Sequence, residues 1–317
     1  MGTLLVITGP TGVGKTELTL RLAERFGCPI VSADSRQIYK EIPIGTAAPT
    51  ADELVRVKHY FVGTKSVTED YSAGQYERDC LELLQAIRSQ KSEVRSQMLE
   101  VRPFAILTGG SMLYIDAVCK GFDDIPSVRE EVRKAVREGY KTGGLEWLQA
   151  EVERLDKDYW EQVDRQNPQR LMHSLEVTLS AGKPYSSFRK MAQEKREFEI
   201  VKVALERPRE VLYDRINKRV DAMLEAGLEE EARRVYPLRE HNSLQTVGYR
   251  EMFDYFDGKT TREEAIRLIK QNSRHYAKRQ MTWFRADKTI HWLDAEKDYE
   301  EQMDTIMSWL RAGCMQE

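Results

Sequence analysis

The sequence predicts an α/β fold: a parallel sheet core flanked by helices, with an all-helical domain inserted into it. Three observations predict it. A short apolar, β-rich run, Thr3 to Thr8, ends at a glycine-rich loop that leads straight into a helical pattern. Four more β-rich runs follow, separated by helical stretches, as a parallel sheet with helices on both faces requires. Between about Phe122 and Phe198 the strand pattern stops; the chain there is charged, helix-like and broken by Pro126, Gly143-Gly144, Pro168 and Gly182. The expected division is a core of residues 1–122 and 198–317 around a helical insertion of residues 123–197.

The elements follow in order. TLLVIT (Thr3 to Thr8) stops at Gly9-Pro10 and is expected to be a buried strand. Lys15 to Phe26 spaces Leu18, Leu22 and Phe26 four apart, a helix that Gly27 ends. Pro29 to Ser32, Phe104 to Thr108, Ile200 to Leu205 and Thr289 to Leu293 are the remaining expected strands. After Arg207-Pro208 the chain is expected to be helical almost to its end, with an amphipathic unit over Arg219 to Val235 interrupted at Gly227 and a long helix over Arg262 to Arg285.

Composition narrows the class. Of 317 residues, 41% are hydrophobic and 32% charged, a globular rather than disordered balance. The net charge of −3 announces no nucleic-acid binder, although a local basic patch acts through its own field. Cys28, Cys80, Cys119 and Cys314 are scattered without a CxxC, and no HExxH occurs, so neither a zinc site nor a disulfide framework is expected. MGTLLVITGP lacks a basic leader and is too short for a signal peptide, and Val6 stands where a myristoylation signal has Ser or Thr. No apolar run nears the ~20 residues that span a bilayer. A cytoplasmic protein without membrane association is expected, working as a monomer without an obligate protein partner.

Four motifs carry chemistry. Gly9-Pro10-Thr11-Gly12-Val13-Gly14-Lys15-Thr16 matches GxxxxGKT between an expected strand and helix, so the core is P-loop NTPase-like. Its glycines let backbone N–H groups turn toward an anion, and the helix that follows adds its positive end. Lys15 brings a charge to terminal phosphates, and the Thr16 hydroxyl can ligate Mg²⁺. Ser32-Ala33-Asp34-Ser35-Arg36-Gln37-Ile38-Tyr39 follows the second strand, at the carboxyl edge where ligands of open α/β sheets bind. Asp34 there can hold Mg²⁺ or accept a proton, or it can simply cap the next helix. Leu107-Thr108-Gly109-Gly110-Ser111 presents a hydroxyl to the same crevice, or is a plain turn capped by Ser111. On the last long helix, Arg267, Lys270, Arg274 and Lys278 recur at three- and four-residue steps beside Trp283-Phe284-Arg285. Such a face suits phosphates and unstacked bases, but taken alone its ordinary explanation is a solvated helix face with core aromatics. Asn167-Pro168-Gln169-Arg170 has the composition of a loop leading into LMHSLEV.

Together these motifs resemble the bacterial tRNA dimethylallyltransferase (isopentenyl-tRNA transferase) family. GPTGVGKT, SADSRQIYKEIPIGTAAP, LTGGSMLYIDAV, NPQRLMHSLEV, RVDAMLEAGLEEE, QTVGYREM and YAKRQMTWFR occur in the family's order over nearly the whole chain. P-loops are widespread; DSRQIY and KRQMTWFR are far more specific. The resemblance implies transfer of a five-carbon group from dimethylallyl diphosphate to the exocyclic amine of the adenosine 3′ of the anticodon, with diphosphate released. It matches Asp34 to the general base, with Lys15 and Ser111 beside it in catalysis. Gly9 to Thr16 and Arg219 match the diphosphate site, with Mg²⁺ as cofactor. Asp34, Ser35, Arg36, Gln37, Ser111, Arg129, Asn167, Pro168, Gln169, Arg170, Lys278, Arg279, Gln280, Trp283 and Arg285 match positions that meet tRNA. The sequence departs from the family in carrying GGS for the common GGT and a shortened segment before Arg129. The zinc finger of the longer eukaryotic relatives has no counterpart, so no zinc is expected. The competing expectation is a small-molecule or nucleotide kinase with ATP on the P-loop, which leaves the basic aromatic helix without a task.

Overall fold

The computed structural model describes residues 2–92, 103–121, 123, 125–126, 128–189 and 195–313; Cys314 lies outside them. Six parallel strands run in the order β3-β2-β4-β1-β5-β6. They are β1 (Thr3–Thr8), β2 (Ile30–Ser32), β3 (His59–Tyr60), β4 (Pro103–Thr108), β5 (Glu199–Glu206) and β6 (Ile290–Asp294). All five expected strands are present. The addition is β3, two residues at the sheet edge, pairing Ile30 with His59 and Val31 with Tyr60. A two-residue strand has no room for an alternating pattern, which is why periodicity does not reveal it.

Every residue of β1 is buried, because both faces of the central strand are covered. Leu5 and Ile7 face one core with Leu18, Leu22 and Phe26 of α1 (Lys15–Phe26) and Ile306 and Leu310 of α12 (Tyr299–Gly313). Leu4 and Val6 face the other, with Tyr76 and Leu84 of α3 (Ala73–Ser92), Ile115 of α4 (Met112–Lys120) and Phe284 of α11 (Arg262–Ala286). A third cluster joins Ile38 and Ile42, beyond β2, to α8 (Arg209–Glu225), α9 (Leu228–Val235), α10 (Tyr249–Phe256) and α11 through Val220, Leu228, Met252 and Ile269. The short α2 (Ala51–Arg56) carries a Thr50–Glu53 capping box. β1, β2 and β4 thus end side by side, and the loops after them meet the start of α1.

The chain divides into two compact units, residues Met1–Cys119 with Arg196–Glu317, and Lys120–Lys195. The second has its own core of Val136, Leu148, Val152, Tyr159, Leu171 and Leu175. Its helices are α5 (Glu130–Leu155), kinked at Gly144, α6 (Lys157–Trp160) and α7 (Pro168–Ala181). Asp156, only 3% exposed, joins α6 to the turn that follows α7. It accepts from the Tyr159 amide at 3.1 Å and from the Ser186 amide at 2.7 Å.

Candidate active site

The phosphate loop is shaped by glycine. Gly9, Gly12 and Gly14 have φ of 135°, 80° and 111°, where a side chain is strained. A Cβ on Gly9 would also stand 2.8 Å from the Leu205 carbonyl oxygen. Gly14 is the N-cap of α1 and provides no side-chain cap, so the first amides of the helix stay available to an anion. Gly9→Ala is expected to weaken inorganic diphosphate binding about tenfold, within the ~1–3 kcal/mol of forced backbone strain. Titration calorimetry checks it; unchanged affinity would remove the loop from the binding site.

Cations converge on this loop. Lys15 Nζ folds back to donate to the carbonyls of Gly9 at 2.9 Å and Pro10 at 3.0 Å. Burial, then repulsion from Arg219, lowers its pKa to about 7, with Asp34 opposing the shift. Arg219 is likewise lowered by burial, and Asp34 again opposes. Two further arginines hold the loop from outside: Arg207 Nε donates to Val13 O and Arg215 Nε to Gly12 O, each at 2.8 Å. Burial and the neighbouring Arg215 lower the Arg207 pKa as well. Four cations and a helix N-terminus around the loop, two of the cations coupled to Asp34, make a cradle for an anion of more than one charge. Sequence reasoning missed Arg207 and Arg215. The available signals were that Arg207 directly follows β5, beside β1, and that Arg215 lies one helical turn before Arg219.

The second half of the site lies at the ends of β2 and β4. Asp34 Oδ1 accepts from the amides of Arg36 at 2.9 Å and Gln37 at 3.3 Å. The carboxylate therefore caps a turn rather than a helix. Ser111 Oγ accepts from the Ser35 amide at 2.8 Å and lies 3.0 Å from Ser35 Oγ. Ser111 is 8% exposed, so its hydroxyl holds the Asp34 turn in place. A Cβ on Gly109 would sit 2.2 Å from the Ala33 carbonyl oxygen, which is why the β4 turn approaches this closely only with glycine. Tyr276 on α11, which the sequence analysis did not single out, reaches the Gly110 carbonyl at 3.4 Å. Burial and the nearby Asp34 push its hydroxyl up to about 12.

Several positions expected to meet tRNA are already engaged within the chain. Arg36 Nη1 donates to the carbonyls of Asn242 and Ser243, and Gln37 Nε2 to those of Thr46 and Ala47. Gln280, expected to meet tRNA, is buried at 1% exposure and bonded to Thr11 and Gly110. Three cations of the basic stripe on α11 are also engaged within the chain. Lys270 pairs with Asp221 at 2.6 Å and Arg274 with Asn217 at 2.7 Å, both on α8, and Arg267 pairs with Glu264 of its own helix. These cations pack or solvate helices. Lys278 and Arg279 remain exposed, and Trp283 is 41% exposed with its Nε1 on Asp116. Arg285 turns toward Glu206 and the Trp292 ring.

In the second unit, Asn167 accepts from the Arg170 amide at 3.2 Å and Pro168 is the first residue of α7. The expected loop is a capped helix start, with Gln169 and Arg170 exposed. Arg129 lies before α5 and donates to the Leu179 carbonyl at the end of α7, at 3.1 Å. Among the described residues no group of three or more His, Cys, Asp or Glu forms a metal site. Thr16, on the first turn of α1, is exposed. No helix of the described residues is long and apolar enough to cross a membrane.

Residues 37–287 match the family of IPP transferases. The chain is 52% identical over 297 residues, 94% of its length and 96% of the other's, to tRNA dimethylallyltransferase 2 of Parabacteroides distasonis. It is 53% identical over 310 residues, 98% of each chain, to tRNA dimethylallyltransferase 1 of Phocaeicola vulgatus. Among solved structures it is similar to the tRNA isopentenylpyrophosphate transferase of Bacillus halodurans, at 33% identity and TM-score 0.70 over 99% of this chain and 97% of that one. A eukaryotic dimethylallyltransferase acting on tRNA, 24% identical, shares the fold at TM-score 0.75 over 93% of this chain and 74% of its own.

Proposed function

The chain belongs to the IPP transferase family, and from that membership we infer its activity: it is a tRNA dimethylallyltransferase. We propose that it takes dimethylallyl diphosphate as donor and, as acceptor, the exocyclic amine of the adenosine 3′ of the anticodon. The observation that carries this reading is the juxtaposition of a cationic loop with one carboxylate. Lys15 and Arg219 are half-buried cations whose charged forms Asp34 favours. A kinase also needs a phosphate cradle. It does not account for the family-specific frame of DSRQIY and KRQMTWFR around the cradle.

The adenine amine is a weak nucleophile because its lone pair is delocalised into the ring. An allylic donor offsets this, since its C–O bond opens to an allyl-cation-like state when the departing diphosphate is neutralised. In the proposed mechanism the α1 amides, Lys15 and Arg219 receive that charge, with Arg207 and Arg215 fixing the loop. The new N–C bond forms as the C–O bond breaks, and Asp34 takes the amine proton. Ser35 and Ser111 hold the Asp34 turn, and the base must leave its stack to reach it. Thr16 would hold Mg²⁺ together with the donor's own oxygens, a fit to an ion that takes few protein ligands and keeps its phosphates and water. When bound, the ion would add positive charge on the diphosphate. Lys278, Arg279 and Trp283, with Arg129 and Asn167 to Arg170, are proposed to meet tRNA, and a cytoplasmic setting is proposed with it. Incubation with labelled dimethylallyl diphosphate and, separately, γ-labelled ATP tests the reaction: label is expected in tRNA from the first alone.

Without an anion, Lys15 carries its charge only below about pH 7. Diphosphate restores the charge, so donor binding takes up a proton. Donor affinity is therefore expected to be full below about pH 7 and to fall as pH rises through it, by up to about tenfold per unit. KM for the donor, followed from about pH 6 to about pH 9, reads this slope. Lys15→Arg, which cannot deprotonate, is expected to flatten it; an equal slope in both proteins would contradict the assignment.

A further inference from the structure

Gln280 lies in the C-terminal third of α11 and is 1% exposed, yet its side-chain amide spans the two halves of the site. Its Oε1 accepts from the Thr11 amide of the phosphate loop at 2.9 Å. Its Nε2 donates to the Gly110 carbonyl at 2.7 Å. Gly110 precedes Ser111, whose hydroxyl binds Ser35, the residue after Asp34. One continuous path thus runs from the phosphate loop through Gln280 to the Asp34 turn. The surroundings are shaped for it: a Cβ on Gly110 would stand 2.4 Å from Gln280 Nε2. Only a side chain that both accepts and donates from one rigid plane fills this place; a carboxylate cannot donate and a cation cannot accept.

We propose that Gln280 is a positioning residue that sets the separation between the diphosphate loop and the Asp34 turn, and so the alignment of donor carbon and acceptor amine. Its role is exerted through the loop and the turn it joins. The inference rests on the transfer reaction proposed above. Gln280→Glu keeps the shape and the bond to Thr11 but sets a carboxylate oxygen against the Gly110 carbonyl. It is expected to lower kcat by about ten- to a hundredfold, the scale of a 1 Å misalignment, with tRNA affinity within about twofold of the parent. Gln280→Ala is expected to act in the same direction. Gly110→Ala should lower kcat in the parent protein and cost much less in the Gln280→Ala background, where the methyl group has room.

The experiment measures kcat, donor KM, tRNA affinity and melting temperature for parent, Q280E, Q280A, G110A and the double variant. A melting temperature that falls while kcat of the folded protein stays unchanged would overturn the proposal, as would a loss confined to tRNA affinity or full additivity of the two substitutions. Should Q280A not fold, Q280E at equal volume supplies the decisive reading. A parent protein that forms no product counts against the transfer reaction instead.

Discussion

Asp34→Asn is expected to lower kcat for dimethylallyl transfer at least about a hundredfold while tRNA binds with nearly unchanged affinity. The substitution is close to a single-function test. Asparagine keeps the oxygen that accepts from the amides of Arg36 and Gln37, so the turn persists. What disappears is the negative charge and the ability to take the amine proton. Asp34→Ala removes the cap as well and is expected to lose at least as much turnover. Single-turnover rates with enzyme in excess over tRNA separate chemistry from product release. An Asp34→Asn protein with parental turnover would take the carboxylate out of the mechanism.

Lys15→Ala is expected to raise donor KM and lower kcat together. The side chain meets the diphosphate both before and during departure, but more charge gathers on the bridging oxygen as the C–O bond opens. One preorganised donor to a developing charge contributes ~3–4 kcal/mol, so kcat should fall by roughly a hundred- to a thousandfold. The desolvated setting sharpens this: Lys15 sits beside Arg219 with its charge disfavoured, Asp34 offsets that only in part, and an incoming anion relieves the rest. Steady-state kinetics with varied donor checks both parameters. Loss of tRNA affinity with unchanged turnover would place the phosphate site elsewhere.

How much of this was legible depended on whether a residue's task is local. The strand-loop-helix around Gly9 to Thr16 is local, and β1 and α1 follow the sequence residue for residue. Gly27 ends α1 in the left-handed region as its place in the pattern implies. The remaining strands were visible because buried parallel strands read as continuous apolar runs, whereas His59–Tyr60 forms a strand only because Ile30 and Val31 lie beside it. Contacts made across the sheet left only positional hints in the sequence. Arg207 and Arg215 bind loop carbonyls about two hundred residues away in sequence. Nothing near Gln280 indicates that its amide is buried between Thr11 and Gly110. The same applies to Lys270 and Arg274: their helical spacing suggested an RNA-facing stripe, and α8 takes them instead. Motif identity found the segments that form the site, while the division of labour inside KRQMTWFR and DSRQIY required the fold.

The central claim is that the loop grips a leaving group and not a phosphate to be transferred. Mass spectrometry of nucleosides from unmodified tRNA, incubated with the protein, Mg²⁺ and dimethylallyl diphosphate, tests it most directly. The expected product is an adenosine carrying one added five-carbon unit, formed with the parent protein and lost with Asp34→Ala. Adenosine that stays unmodified, while the protein transfers or hydrolyses the γ-phosphate of ATP, would contradict it.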